Sequence, residues 1–178
     1  MKAFAALLAI ALLSANLTMA QTPPPPAVDE GEPLPAGAPT AEYPLSAWCF
    51  GALDEYLSIY DQVKPDLRDI DRMFGSAVKN EPDPYAQDMA AARDELKVLA
   101  GAVEAAEKAS PTPIATEGAK AIKQGRAIWG PAEAKTRREL ARAWLSWGLP
   151  DRCDATARAL TAKASLLGQA LKYNTPQP

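Results

Sequence analysis

Residues 49–77 read CFGALDEYLSIYDQVKPDLRDIDRMFGSA, and the spacing of their apolar side chains decides the fold class. Cys49, Leu53, Tyr56, Tyr60, Val63, Leu67, Ile70, Phe74 and Ala77 recur in alternating steps of four and three. That is the seam of a helix packed in a bundle, since residues at those steps share one face. Ser46 stands where a capping hydroxyl would accept from the first free backbone N–H groups, so the helix is expected to start there. The seam keeps its phase across Pro65. One long helix, kinked at that proline, is therefore expected rather than two, although a proline inside a helix costs about 3 kcal/mol.

The rest of the chain repeats the pattern. NEPDP (80–84) is a break,. Tyr85, Met89, Ala92, Leu96, Leu99, Val103 and Ala106 form a second seam that stops at SPTP (110–113). Cys153, Ala157, Leu160, Ala164, Leu167 and Leu171 form the last one, entered through Pro150 and a capping Asp151. Between them, Ile114, Ala121 and Ile128 keep one register, while Leu140, Trp144 and Trp147 keep another. The two registers meet at Gly130-Pro131, where glycine suits a left-handed helix stop and proline cannot extend the ladder. WGLP (147–150) reads as a second stop of the same chemistry. A turn at Gly130-Pro131 makes five helices and a kink makes four. The expected fold is all-α, an up-and-down bundle of four to five helices spanning residues 45–173, with a short tail at 174–178.

The sequence ahead of the bundle is of a different kind. Residues 1–20, MKAFAALLAIALLSANLTMA, have the basic start, short apolar stretch and small residues at Thr18 and Ala20 of a cleavable signal peptide,. The residue after Ala20 is Gln21 and not a cysteine that would carry a lipid, and nothing later is apolar enough to span a membrane,. Residues 21–44 are rich in proline and carry acids without bases, a composition that cannot bury enough surface to order itself,. They read as a disordered linker of polyproline character. The protein is expected to be exported, to the periplasm or as a secreted protein.

Charge is unevenly divided. Residues 21–117 hold 18 acids and 7 bases, whereas residues 118–178 hold 4 acids and 11 bases. Such an asymmetry marks either a basic surface for an anionic partner or two halves of a bundle with matched potentials. The second explanation is preferred. Nucleic acid is a poor partner for an exported chain of net charge −3,.

The two cysteines, Cys49 and Cys153, fit three chemistries. A thiol near a helix start is a potential nucleophile, but there is no CxxC, and the chain has no histidine to pair with it,. Zinc needs more sulfur or nitrogen ligands than two cysteines offer. A disulfide needs an oxidising compartment and proximity. In a strictly alternating five-helix bundle, the first and last helices start at the same end, which would bring Cys49 and Cys153 together. A Cys49–Cys153 disulfide is the expectation.

The absence of histidine also removes Ser–His–Asp triads, histidine metal sites and a histidine haem ligand,. Phosphate-loop, GxSxG and haem-attachment motifs are absent, so no cofactor or metal is expected,. Paired carboxylates remain chemically sufficient for glycan hydrolysis. Asp54, Glu55, Asp61, Asp66, Asp69 and Asp71 are the candidates, but Lys64, Arg68 and Arg72 interleave with them as on a solvated helix face,. Finally, AKTRRELARAWLSWG (134–148) sets Lys135, Arg138 and Arg142 on one stripe with Trp144 nearby. A basic amphipathic helix of this kind suits an anionic envelope component or an acidic protein. Leu140, Trp144 and Trp147 lean to another face, however, and an ordinary bundle helix with its tryptophans in the core and its bases in water is the preferred alternative. The function expected from the sequence is a non-catalytic binding module that uses Lys135, Arg138, Arg142 and Trp144. A cell-wall glycan hydrolase and a structural spacer are the alternatives.

Overall fold

A computed structural model describes residues 33–74, 83–130 and 135–173, with side chains through residue 168. The expected signal peptide, residues 21–32 of the linker, Ala77, Pro131 and the 174–178 tail lie outside the described residues. Within them the chain forms five α-helices and no strand: α1 (Glu42–Met73), α2 (Ala86–Ala109), α3 (Ala115–Ala127), α4 (Arg137–Ser146) and α5 (Arg152–Tyr173). None is long and apolar enough to cross a membrane.

The 32-residue α1 is the axis of the molecule, and it continues through Pro65 as the unbroken seam implies. It begins at Glu42, one turn before the expected cap. Ser46 lies inside the helix, fully buried, and its hydroxyl has no hydrogen-bond partner among the described residues. Leu34 and Ala38, from the stretch assigned to the linker, pack against the core. No charge occurs between Glu42 and Asp54, and Leu45 through Cys49 are buried without interruption. A helix apolar all round is one enclosed by neighbours, and α2, α3 and α5 enclose this half of α1. The other half is covered by α4 and the start of α2, through Ile59, Tyr60, Val63, Leu67, Met89, Leu140 and Trp144. Three seam positions depart from expectation: Phe74, Ile128 and Leu167 are 80%, 36% and 56% exposed.

Helix directions correct the up-and-down expectation. Tyr43 reaches Glu107 near the end of α2 while Tyr60 reaches Asp83 before its start, so α2 runs antiparallel to α1. Gly118 lies on Tyr43, Gly125 on Trp48 and Ala52, and Arg126 on Asp54, so α3 returns parallel to α1. Then α4 runs antiparallel, from Arg137 beside Asp66 to Trp144 on Tyr56. Helix α5 keeps the same direction, from Cys153 at Cys49 to Lys163 at Glu42. The helices α4 and α5 are thus one descending rod, broken at Trp147–Asp151, and strict alternation fails at that joint.

The stops themselves have two mechanisms. At the end of α3 the bonds tighten to i→i−3, from Ile128, Trp129 and Gly130, and Gly130 turns the chain with φ +69°,. At the end of α4, by contrast, Trp147 takes extended geometry and Gly148 keeps out of the left-handed region. The second WG stop therefore does not repeat the glycine chemistry of the first. The start of α4 lies at Arg137, later than expected, because Thr136 and Glu139 form a reciprocal capping box,.

Candidate functional site

Four features are candidates for function: the disulfide, the basic helix α4, the acids of α1, and a cavity beside Tyr56. Cys49 and Cys153 are bonded, with Cα atoms 5.8 Å apart and both side chains fully buried. The pairing is as expected, but its geometry is not. Cys49 lies two turns inside α1, and Cys153 meets it because the descending rod passes that level. The thiols are consumed in a crosslink inside the core.

The expected patch divides. Trp144 is only 2% exposed and belongs to the core: its indole N–H donates to the Tyr56 carbonyl at 3.1 Å, and its ring stacks on Tyr56 at 4.5 Å. Lys135 is half-buried and donates to the Trp129 carbonyl at 2.8 Å, tying down the turn after α3. Arg138 and Arg142 are exposed, one turn apart on α4. The apolar residue on their stripe is Leu145, 39% exposed, rather than Trp144,.

The charge asymmetry is met in part within the molecule, by three bases of residues 118–178. Arg126 binds Asp54 at 2.6 Å, Lys163 binds Glu42 at 2.5 Å, and Arg137 lies 3.8 Å from Asp66. Each joins the basic half to α1. Of the other candidate acids, Asp69 pairs with Arg72 and Asp71 accepts from the Tyr85 hydroxyl at 3.0 Å. Asp83 has the densest set of partners: the Tyr60 hydroxyl, Lys64 and the Tyr85 backbone N–H. Desolvation pushes the Asp83 carboxyl upward, but those donors outweigh it and hold the pKa below the usual carboxylate value,.

Sequence reasoning missed the aromatic hub. Tyr56 stands at the boundary of the two core clusters and touches Trp129, Trp144 and Trp147, with centroids 4.5–5.8 Å away. Trp129 donates its indole N–H to the Ala52 carbonyl at 3.0 Å, one turn before Trp144 does the same at Tyr56. Burial, followed by the charge of Asp88, raises the Tyr56 pKa to about 12. Beside this hub is a cavity of about 350 Å³ lined by Leu53, Tyr56, Asp88, Ala92, Glu95 and Trp147, among others, with Gly148 at its rim. One Glu95 oxygen is sealed from solvent and lacks a hydrogen-bond partner among the described residues. Burial raises the Glu95 pKa, Asp154 adds to the effect, and Arg158 opposes it.

No sequence clue marked Glu95, which reads as one acid among many on α2. The glycines were legible in principle: Ala47-xxx-Gly51 and Ala121-xxx-Gly125 are small residues one turn apart, the pattern of close helix contact,. Together these features define a disulfide-locked helical bundle with an exposed basic helix and an acidic, aromatic-walled cavity. No protein-family model, curated protein or solved structure matches the chain.

Proposed function

We propose that the protein is an exported, non-catalytic binding module that uses the exposed face of α4 to hold an anionic component of the cell envelope. The observation that carries this reading is the Arg138–Arg142–Leu145 stripe: two exposed guanidinium groups beside an exposed leucine on a rigid, box-capped helix. Its neighbour Arg137 is engaged with Asp66, whereas Arg138 and Arg142 are in no ion pair among the described residues. The buried disulfide supports an oxidising compartment, since such bonds persist outside the cytosol. Retention on phosphatidylglycerol vesicles at low ionic strength tests the reading. Arg138→Glu/Arg142→Glu is expected to abolish retention, and equal retention of the double variant and wild type refutes it. Recovery on acidic protein alone, with vesicles unretained, transfers the role to a protein partner.

The glycan-hydrolase alternative has one observation in its favour. Asp88 and Glu95 line one cavity, and glycosidases use two carboxyl groups in one cleft,. That reading requires peptidoglycan solubilisation that Glu95→Gln eliminates.

A further inference from the structure

We infer that the cavity between Tyr56, Asp88, Glu95 and Trp147 is a binding site for a small organic cation of the ammonium class. This goes beyond the basic face of α4 and uses none of its arginines. The walls come from three parts of the fold: Leu53 and Tyr56 on α1, Asp88, Ala91, Ala92 and Glu95 on α2, and Trp147, Gly148 and Leu149 where α4 breaks into α5. The volume of about 350 Å³ is at the lower end of ligand pockets, which suits an alkylammonium head rather than a polymer,.

Three independent features select the sign of the ligand. First, Tyr56 and Trp147 both line the pocket, and aromatic rings attract cations,. Second, the two acidic side chains in the lining are carboxylates, and no lysine or arginine is among them. Arg158 on α5 acts on Glu95 from outside the lining, and its guanidinium already binds Asp154 at 2.7 Å. Third, Glu95 has an oxygen that is buried and without a hydrogen-bond partner among the described residues. Glu95 as a whole is half-buried, and a bound cation would offset the charge at its enclosed oxygen,. A quaternary or primary ammonium ion meets all three conditions, whereas an anion or a neutral apolar molecule meets none of the last two.

Choline and its uncharged isostere 3,3-dimethylbutanol are the probes, titrated into the oxidised protein while the Trp147 indole N–H resonance is followed. Choline is expected to shift that resonance saturably, and the neutral isostere to bind at least tenfold more weakly. Glu95→Gln keeps the shape and is expected to weaken choline at least tenfold. Gly148 lines the pocket and a Cβ there meets nothing within 4 Å, so Gly148→Leu is expected to keep the fold, narrow the pocket and weaken choline at least tenfold. Arg138→Glu/Arg142→Glu should leave the titration unchanged, which separates this site from the α4 face. Absence of a saturable choline shift, equal binding of the neutral isostere, preference for N-acetylglucosamine, or undiminished binding in both Glu95→Gln and Gly148→Leu would overturn the inference.

Discussion

Replacing Gly125 with alanine tests how α1 and α3 are held together. A Cβ at Gly125 would lie 2.0 Å from the Trp48 carbonyl oxygen and 2.8 Å from the Ala52 nitrogen, and at Gly51 it would lie 2.1 Å from the Ile122 oxygen. These obstacles are helix backbone, so no side chain can swing aside. Ordinary contact begins near 3.4 Å, and the two helices would have to part by about 1.4 Å at that point. A gap of 0.5–1 Å already forfeits roughly a quarter to a half of a dispersion contact, and overpacking of this kind costs about 1–3 kcal/mol or more. Alanine also gains about 1 kcal/mol of helix propensity over glycine. Steric cost wins, and Gly125→Ala is expected to lose about 2 kcal/mol. Gly101 on α2 is the control, because a Cβ there meets nothing within 4 Å. Gly101→Ala should gain about 0.5–1 kcal/mol from propensity alone. With a urea slope of about 2 kcal/mol per M, the midpoint should fall by about 1 M for Gly125→Ala and rise for Gly101→Ala. Circular dichroism during urea unfolding, with the disulfide intact, reads both. A Gly125→Ala midpoint at or above wild type would refute the close approach of α1 and α3.

Two further predictions concern the crosslink and acid stability. Joining residues 104 apart, the Cys49–Cys153 bond is worth up to about 4.7 kcal/mol on the chain-entropy model, and Cys49→Ala/Cys153→Ala should lose about 2–5 kcal/mol,. Intact mass after alkylation of native, non-reduced protein should show no modified thiol; two modified thiols would refute the bond. Asp83 has a folded pKa below its unfolded value, so its contribution is present above the unfolded carboxylate pKa of about 3.9 and is lost as pH falls through the folded one,. Asp83→Asn should therefore cost about 2 kcal/mol at neutral pH and progressively less toward pH 2. Calorimetric melting points showing the same loss at both pH values would refute that role.

Much of the architecture was legible because helix periodicity is a local property. Leu53, Tyr60, Val63 and Leu67 are buried where a 3.6-residue repeat places them, and the packed seam carries α1 through Pro65. The absence of histidine and the two cysteines narrowed the chemistry by counting alone. The terminal positions were less legible. Ser46 has the chemistry of a cap, yet neighbours on every side of α1 made the preceding turn helical as well. Thr136-x-x-Glu139 was a readable start signal, and it set the beginning of α4 where the Gly130-Pro131 break alone did not.

Helix directions and the fate of Trp144 belong to the tertiary structure. Period 3.6 shows that a face is apolar but not which neighbour covers it. Trp144 and Arg142 are two positions apart on α4, and only the position of Tyr56 decides that one is core and the other surface. Likewise, the sequence marked Cys49 and Cys153 as partners by elimination of other thiol chemistries, while their meeting point depends on α5 continuing the descent of α4. The cavity beside Glu95 arises from three segments distant in the chain, and no local pattern encodes it. Composition and periodicity thus pointed to an all-helical, crosslinked chain. Nonlocal packing decided which aromatic rings are enclosed, which cations stay in water and which carboxylate oxygens, on Asp66 and Glu95, lack a hydrogen-bond partner among the described residues.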